Sequence, residues 1–172
     1  MGLVLKAAQF AAHKHRDQRR KDAKGTPYIN HPLALATVLW EEGGVHDPTV
    51  IAAALLHDTI EDTQTSYAEL RGEFGVTVAD IVIEVTDAKF LRRHSRKRLQ
   101  VERAAQASPA ARLVKLADKI CNVRDLLANP PKDWTVERRR EYFGWAKEVI
   151  DQIRGTNARL ERKFDQLYRK KP

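Results

Sequence analysis

Apolar residues recur along this chain at intervals of three and four, the spacing of helices with one buried face. No alternating run of strand length appears. Leu3, Ala7, Phe10 and Ala11 predict a first helix, with His13 and His15 following on its polar side. The next stretch, Arg16 to Pro32, breaks the pattern. Lys24-Gly25 is a turn signal and Tyr28-Ile29 reads as a short returning strand, so a small hairpin is the most that is expected there. Asn30 or His31 then caps a helix with Pro32 in its first position and Leu33, Ala36, Leu39 and Trp40 as its stripe. Gly43-Gly44 ends it. Asp47-Pro48 opens a helix through Val50, Ile51, Ala54 and Leu55. Ser66 with Glu69 forms a capping box, Gly75 is a stop, and Thr77 opens a short apolar helix. Ser108-Pro109 starts another, with Leu113, Leu116, Ala117, Ile120, Val123 and Leu127 inward. Asn129-Pro130-Pro131 breaks it, Thr135 caps a long successor that Gly155 ends, and Thr156 starts a last amphipathic helix. The reading is all-α: a single domain over residues 1–172, with at most a small β-hairpin near the N-terminus.

Length supports this. A chain of 172 residues that is 42% hydrophobic fills one core. No run of about 18 apolar residues exists, so no membrane span is expected. The stretch Met1 to Lys6 lacks a signal-peptide core. One cysteine, Cys121, allows no internal disulfide and fits a reducing cytoplasm. Its helical setting marks a packed thiol rather than a nucleophile. The charge changes the picture more. Lys and Arg number 31 against 23 Asp and Glu, a formal +8. That balance favours anionic partners: nucleic acid, phosphorylated small molecules or an anionic surface. The densest cationic run, Arg92 to Arg98, reads as an at least partly solvated face that attracts anions at long range, and such a run could also clamp phosphates or bind nucleic acid.

Against this background one stretch stands apart. His57, Asp58, Glu61 and Asp62 follow the apolar run Ala54-Leu55-Leu56. Imidazole beside carboxylate is ligand chemistry for a divalent transition metal, and further carboxylates near a metal can hold a water and take its proton. A polar helix end leaving the core would look similar in isolation. Here His31 at a helix start and Asp118 on a polar stripe with Asn122 and Asp125 complete a set of two imidazoles and two carboxylates, enough for Mn, Fe or Zn with positions left open. No Walker-type Gly-Lys-Ser/Thr loop is present.

The order H…HD…D resembles the HD-domain metal-dependent phosphohydrolases. The surrounding stretches Thr26 to Pro32, Ala53 to Thr63 and Val114 to Lys119 resemble the hydrolase domain of RelA/SpoT-type proteins. Arg98-Leu99-Gln100-Val101-Glu102 and Gly155-Thr156-Asn157 are similar to the stand-alone metazoan SpoT homologues, the small alarmone hydrolases. The likeness runs over nearly the whole chain and leaves nothing over for the synthetase and regulatory domains of long members. It implies hydrolysis of guanosine 3′-diphosphate 5′-di- or triphosphate, (p)ppGpp, to pyrophosphate and GDP or GTP, with Mn2+ as the metal. Carried over by position, the metal ligands are His31, His57, Asp58 and Asp118. Glu61 and Asp62 orient and activate the attacking water. Substrate contacts fall to Arg20, Lys21 and Asn122, with Arg138 and Tyr142 at positions that hold phosphate and sugar. Cys121 stands where an aromatic is often found. Two other functions use the same features. Another HD phosphohydrolase activity, such as removal of the NADPH 2′-phosphate or of a nucleotide phosphate, needs only different pocket walls. A basic RNA-binding helical domain needs only the charge, but an intact ligand set with Glu61-Asp62 argues against it. The expected partner is therefore a guanosine polyphosphate, with neither membrane nor nucleic acid. The sequence is silent on oligomeric state.

Overall fold

A computed structural model describes residues 1–89 and 91–172 of the chain. Ten α-helices follow in order among the described residues: α1 Gly2–Lys14, α2 Asn30–Thr37, α3 Pro48–Leu56, α4 Thr59–Asp62, α5 Tyr67–Phe74, α6 Val76–Val85, α7 Arg93–Ala104, α8 Pro109–Ala128, α9 Val136–Asp151 and α10 Ala158–Tyr168. The architecture is all-α. Among the described residues the only β pairing is an isolated antiparallel bridge between Arg19 and Pro27, so the expected hairpin shrinks to one bridge around Gly25, which takes φ 60°.

The core is built around α3. Val50 to Leu56 are all buried, as a helix that is apolar on every face requires. Helices α1, α2, α6 and α8 pack on it from different sides. The alanines Ala52, Ala53 and Ala54, none of them exposed, let these neighbours approach closely. Helix α8 carries Val114, Leu116, Ala117, Ile120 and Val123 inward, and α10 closes over it with Leu160 and Phe164. Helix starts follow the sequence signals. Asp47, Ser66, Ser108, Thr135 and Asn157 each accept a backbone N–H of the following first turn.

Several local expectations are corrected. No side chain caps α2, which already begins at Asn30. Its buried face is His31, Leu35, Val38 and Leu39, while Leu33 and Trp40 are 44% and 47% exposed. Turning His31 inward commits residues four and seven positions later to the core, so the stripe is rotated from the expected one. The chain then widens into a π-helical turn, Val38–Glu42, closed by Gly43 N–H to the Val38 carbonyl at 2.9 Å. Helix α6 begins at Val76 rather than Thr77, and α10 at Ala158 with Asn157 as its cap. His15 is buried, not exposed. Its Nδ1 lies 2.6 Å from Gln18 Oε1 and its ring 4.8 Å from that of Tyr28. The loop Arg16 to Ile29 folds back over the end of α1 and covers it.

Candidate metal centre and cleft

Helix α3 stops at Leu56, and the chain turns at His57 and Asp58, the latter at φ −100° and ψ 0°, before α4 starts at Thr59. In an unbroken helix consecutive side chains point about 100° apart. The break lets two neighbours aim at one point: His57 Nε2 and Asp58 Oδ2 are 2.8 Å apart. Thr59 Oγ1 donates to the Leu56 carbonyl at 2.7 Å and takes up one of the carbonyls the interruption frees. His31, in the first turn of α2, brings Nε2 to 3.2 Å from Asp118 Oδ1 and 4.0 Å from Asp58 Oδ2. Asp118 comes from the middle of α8. Ligand atoms of His31, His57 and Asp118 all lie within 4.8 Å of one another.

The donor chemistry fits a divalent metal. His57 Nδ1 lies 2.8 Å from the Ala54 carbonyl, which can only accept, so Nδ1 carries the proton and the neutral ring keeps its lone pair on Nε2. That buried Nε2 has no hydrogen-bond partner among the described residues, yet it faces carboxylate oxygens. A lone pair opposed to carboxylates needs a cation between them. With the protein atoms alone a proton takes that place. Burial by itself would lower the His57 pKa, but Asp58 and Asp118 outweigh it and lift it to about 9. Asp58 lies well below the usual carboxylate range because His57 outweighs its burial. Its Oδ2 also accepts the Tyr28 hydroxyl. Asp118 is likewise depressed, with Lys119 and His31 overcoming burial.

Beside this cluster opens a cleft of about 720 Å³, a size suited to a nucleotide-class ligand. His31 lines it and joins it to the metal centre. Glu61 and Asp62 form part of one wall. Glu61 Oε2 accepts the Asp87 backbone N–H at 3.1 Å, and Oε1 stands 3.8 Å from Arg96 Nη1. Burial, and then Asp87 and Asp58, push the Glu61 carboxyl up to about 7. Asp62 accepts from Gln18 Nε2 at 2.8 Å and pairs with Lys89. Opposite, Arg20 Nη2 donates to Asp125 Oδ2 at 2.6 Å and to Asn122 Oδ1 at 3.2 Å, with its guanidinium 5.7 Å from the Tyr28 ring centre. Asn122 in turn donates to Asp118 Oδ1 at 2.6 Å.

Of the residues singled out from sequence, Lys21 and Tyr142 also line this cleft, while Arg138 does not. It stacks on Trp134 at 4.4 Å, and Trp134 supplies the lining there. Asp118 and Asn122 do share the expected stripe; Asp125, at its far end, holds Arg20. Cys121 is buried in α8 with its thiol pushed up to about 12 by burial and Asp118, as a packed thiol should be. The cationic run divides: Arg92 and Arg93 are exposed, but Arg96 turns into the cleft. Tyr28, Gln18, Lys89 and Lys119 were not anticipated. Tyr28 and Lys119 sit inside the stretches that carry the family resemblance, which is the one signal that could have found them.

Comparison with known proteins agrees with this fold. The family model for the HD domain matches residues 7–143. The Xenopus tropicalis protein named guanosine-3′,5′-bis(diphosphate) 3′-pyrophosphohydrolase MESH1 is 54% identical over 166 residues, 96% of this chain and 93% of that protein. The Homo sapiens protein of the same name is 52% identical over 168 residues, covering 98% and 94%. A solved structure described as a metazoan ortholog of SpoT that hydrolyzes ppGpp superposes with a TM-score of 0.96 at 50% identity, over 99% of this chain and 96% of that one. With the HD model matched across most of its length, this chain belongs to the HD-domain family.

Proposed function

We propose that this chain is a (p)ppGpp 3′-pyrophosphohydrolase, which releases pyrophosphate and leaves GDP or GTP, and that residues 1–172 act as one HD hydrolase domain. The observation that carries the reading is the convergence of His31, His57, Asp58 and Asp118 beside Glu61–Asp62 in a cation-rimmed cleft. Relatives covering nearly the whole chain bear that activity in their names.

His31, His57, Asp58 and Asp118 would hold the metal, for which we propose Mn2+. When bound, such a cation acidifies a coordinated water and neutralises phosphoryl oxygens. The rest is the work of the chain. Glu61, with a carboxyl near neutrality, takes the proton of the attacking water at a carboxylate oxygen. Asp62, fixed by Gln18 and Lys89, orients that water. Water adds to the phosphorus carried by the ribose 3′ oxygen, the bond to that oxygen breaks, and the oxygen leaves as the 3′-hydroxyl with the proton returned by Glu61. Arg20, Lys21, Lys89 and Arg96 counter the charge of the polyphosphate by charge-assisted hydrogen bonds. Arg20 presents a planar face on which a base can stack, and Asn122 ties its position to Asp118. Tyr142 and Trp134 supply aromatic walls. No helix among the described residues is long and apolar enough to cross a membrane, and the lone free cysteine fits the cytoplasmic setting we propose.

Metal analysis of the purified protein together with product identification from (p)ppGpp and NADPH side by side tests this reading. Release of pyrophosphate and GDP or GTP at a rate well above phosphate release from NADPH is expected. Preferential phosphate release from NADPH would move the chain to a different activity of the same family.

A further inference from the structure

A second cavity, of about 260 Å³, lies behind Glu61, between the end of α6, α7 and the start of α8. Its lining is mixed: Ile83, Leu99 and Ala107 supply apolar wall, and polar groups come from all three helices and the segment after α6. Two acids face it, and both are already engaged. Asp87 accepts from Gln100 Nε2 on both oxygens, at 2.7 and 2.6 Å, and Glu84 Oε2 accepts the Ser108 backbone N–H at 2.6 Å. The three cations on the lining are Arg96, Arg103 and Lys115. Lys115 is only 8% exposed, and its charge is only partly offset by Asp87, Asp118 and Glu84. Among the described residues, Arg96 Nε is buried without a partner. A buried ammonium is costly unless paired. Burial and neighbouring Lys119 bring the Lys115 pKa down to about 8, which leaves it largely charged at neutral pH.

We propose that this cavity is a binding site for a small oxyanion of the phosphate or diphosphate class, seated on Lys115 and completed by Arg103 at its rim. The volume is below that of pockets for drug-sized ligands, about 300–1,000 Å³, so the occupant is the bare anion rather than a nucleotide. The site is separate from the substrate cleft but touches the same machinery. Arg96 lines both cavities and stands 3.8 Å from Glu61 Oε1. The backbone N–H of Asp87, a residue of the cavity wall, donates to Glu61 Oε2. An anion drawing Arg96 backwards removes a cation from Glu61, so occupancy is felt at the cleft. This inference stands on the cavity alone and does not depend on which phosphate ester the cleft hydrolyses.

The test is calorimetric titration of the metal-loaded protein with inorganic phosphate, and separately with pyrophosphate, in wild type, Lys115→Met, Arg103→Gln and Arg20→Gln. Wild type should show a class of sites that persists in Arg20→Gln, a change confined to the cleft. Lys115→Met should weaken that class at least about tenfold, the scale of one lost charge-assisted hydrogen bond. The tighter of the two anions identifies the occupant. Wild-type affinity in Lys115→Met, or loss of all anion binding in Arg20→Gln, overturns the proposal. Should Lys115→Met not fold, Arg103→Gln on the exposed rim decides by the same criterion, with a weakening of severalfold expected and unchanged affinity contradicting it.

Discussion

Lys119 Nζ lies 2.8 Å from Asp118 Oδ2, so the two oxygens of Asp118 face different groups: Oδ2 the ammonium, Oδ1 His31 Nε2 at 3.2 Å. Lys119 is buried, stands 4.5 Å from the Trp145 ring centre, and keeps its charge because Asp118 outweighs the effect of burial. The pair fixes the Asp118 rotamer and leaves Oδ1 for the metal. Partners behind a ligand commonly contribute about 10–100-fold in metal affinity. Lys119→Met should lose Mn2+ affinity on that scale by calorimetry while Asn122 and the cleft stay in place. Unchanged affinity would make the pair a packing feature only.

Glu61 should set the acid side of the pH profile. Its carboxyl, raised to about 7 in the protein alone, works as a base only when deprotonated, so kcat rises with pH through this ionisation. A bound cation favours the carboxylate, placing the inflection at or below that value. Glu61→Gln should lower kcat by about 10² or more, retain bound Mn2+, and lose the acid limb. A profile that keeps its limb in Glu61→Gln would assign the ionisation to another group.

Among the cations, position in the cleft outranks charge density along the sequence. Arg20 is held by Asp125 and Asn122 inside the cleft, so Arg20→Gln should raise KM about tenfold, as for one charge-assisted hydrogen bond. Arg96→Gln belongs with it. Neutralising Arg92 and Arg93 together, both exposed, should change kcat/KM modestly, and less at high salt. The reverse ranking, from steady-state kinetics at two ionic strengths, would move the substrate wall to the start of α7.

How much of this could be read from sequence follows from what each signal encodes. Cap residues act within one turn, so Asp47, Ser66, Ser108 and Thr135 were legible. The apolar run of α3 gave away the centre of the core. His57 and Asp58 were legible as chemistry, but the helix break that aims both at one point was not. A His-Asp pair following Leu56 continues a helical pattern as readily as it ends one. Lys115 and Lys119 were illegible as buried groups, because lysine in a helical stripe ordinarily marks solvent; Lys119 is held by Asp118 next in line and by Trp145 from another helix, and Lys115 is covered by a cavity wall built from α6 and α7. His15 was misplaced for the same reason: the loop covering it is a tertiary fact. Leu33 and Leu35 differ by two positions, and only the inward turn of His31 decides which is core.

The central claim is that the cluster His31, His57, Asp58 and Asp118 holds the metal on which hydrolysis depends. The most direct measurement is GDP and pyrophosphate formed from ppGpp by metal-stripped protein titrated with Mn2+, with bound metal counted in parallel, for wild type and Asp58→Ala. Wild type should gain activity in step with one bound Mn2+, and Asp58→Ala should gain neither metal nor activity over the same range. Near-normal occupancy and rate in Asp58→Ala would contradict the ligand assignment.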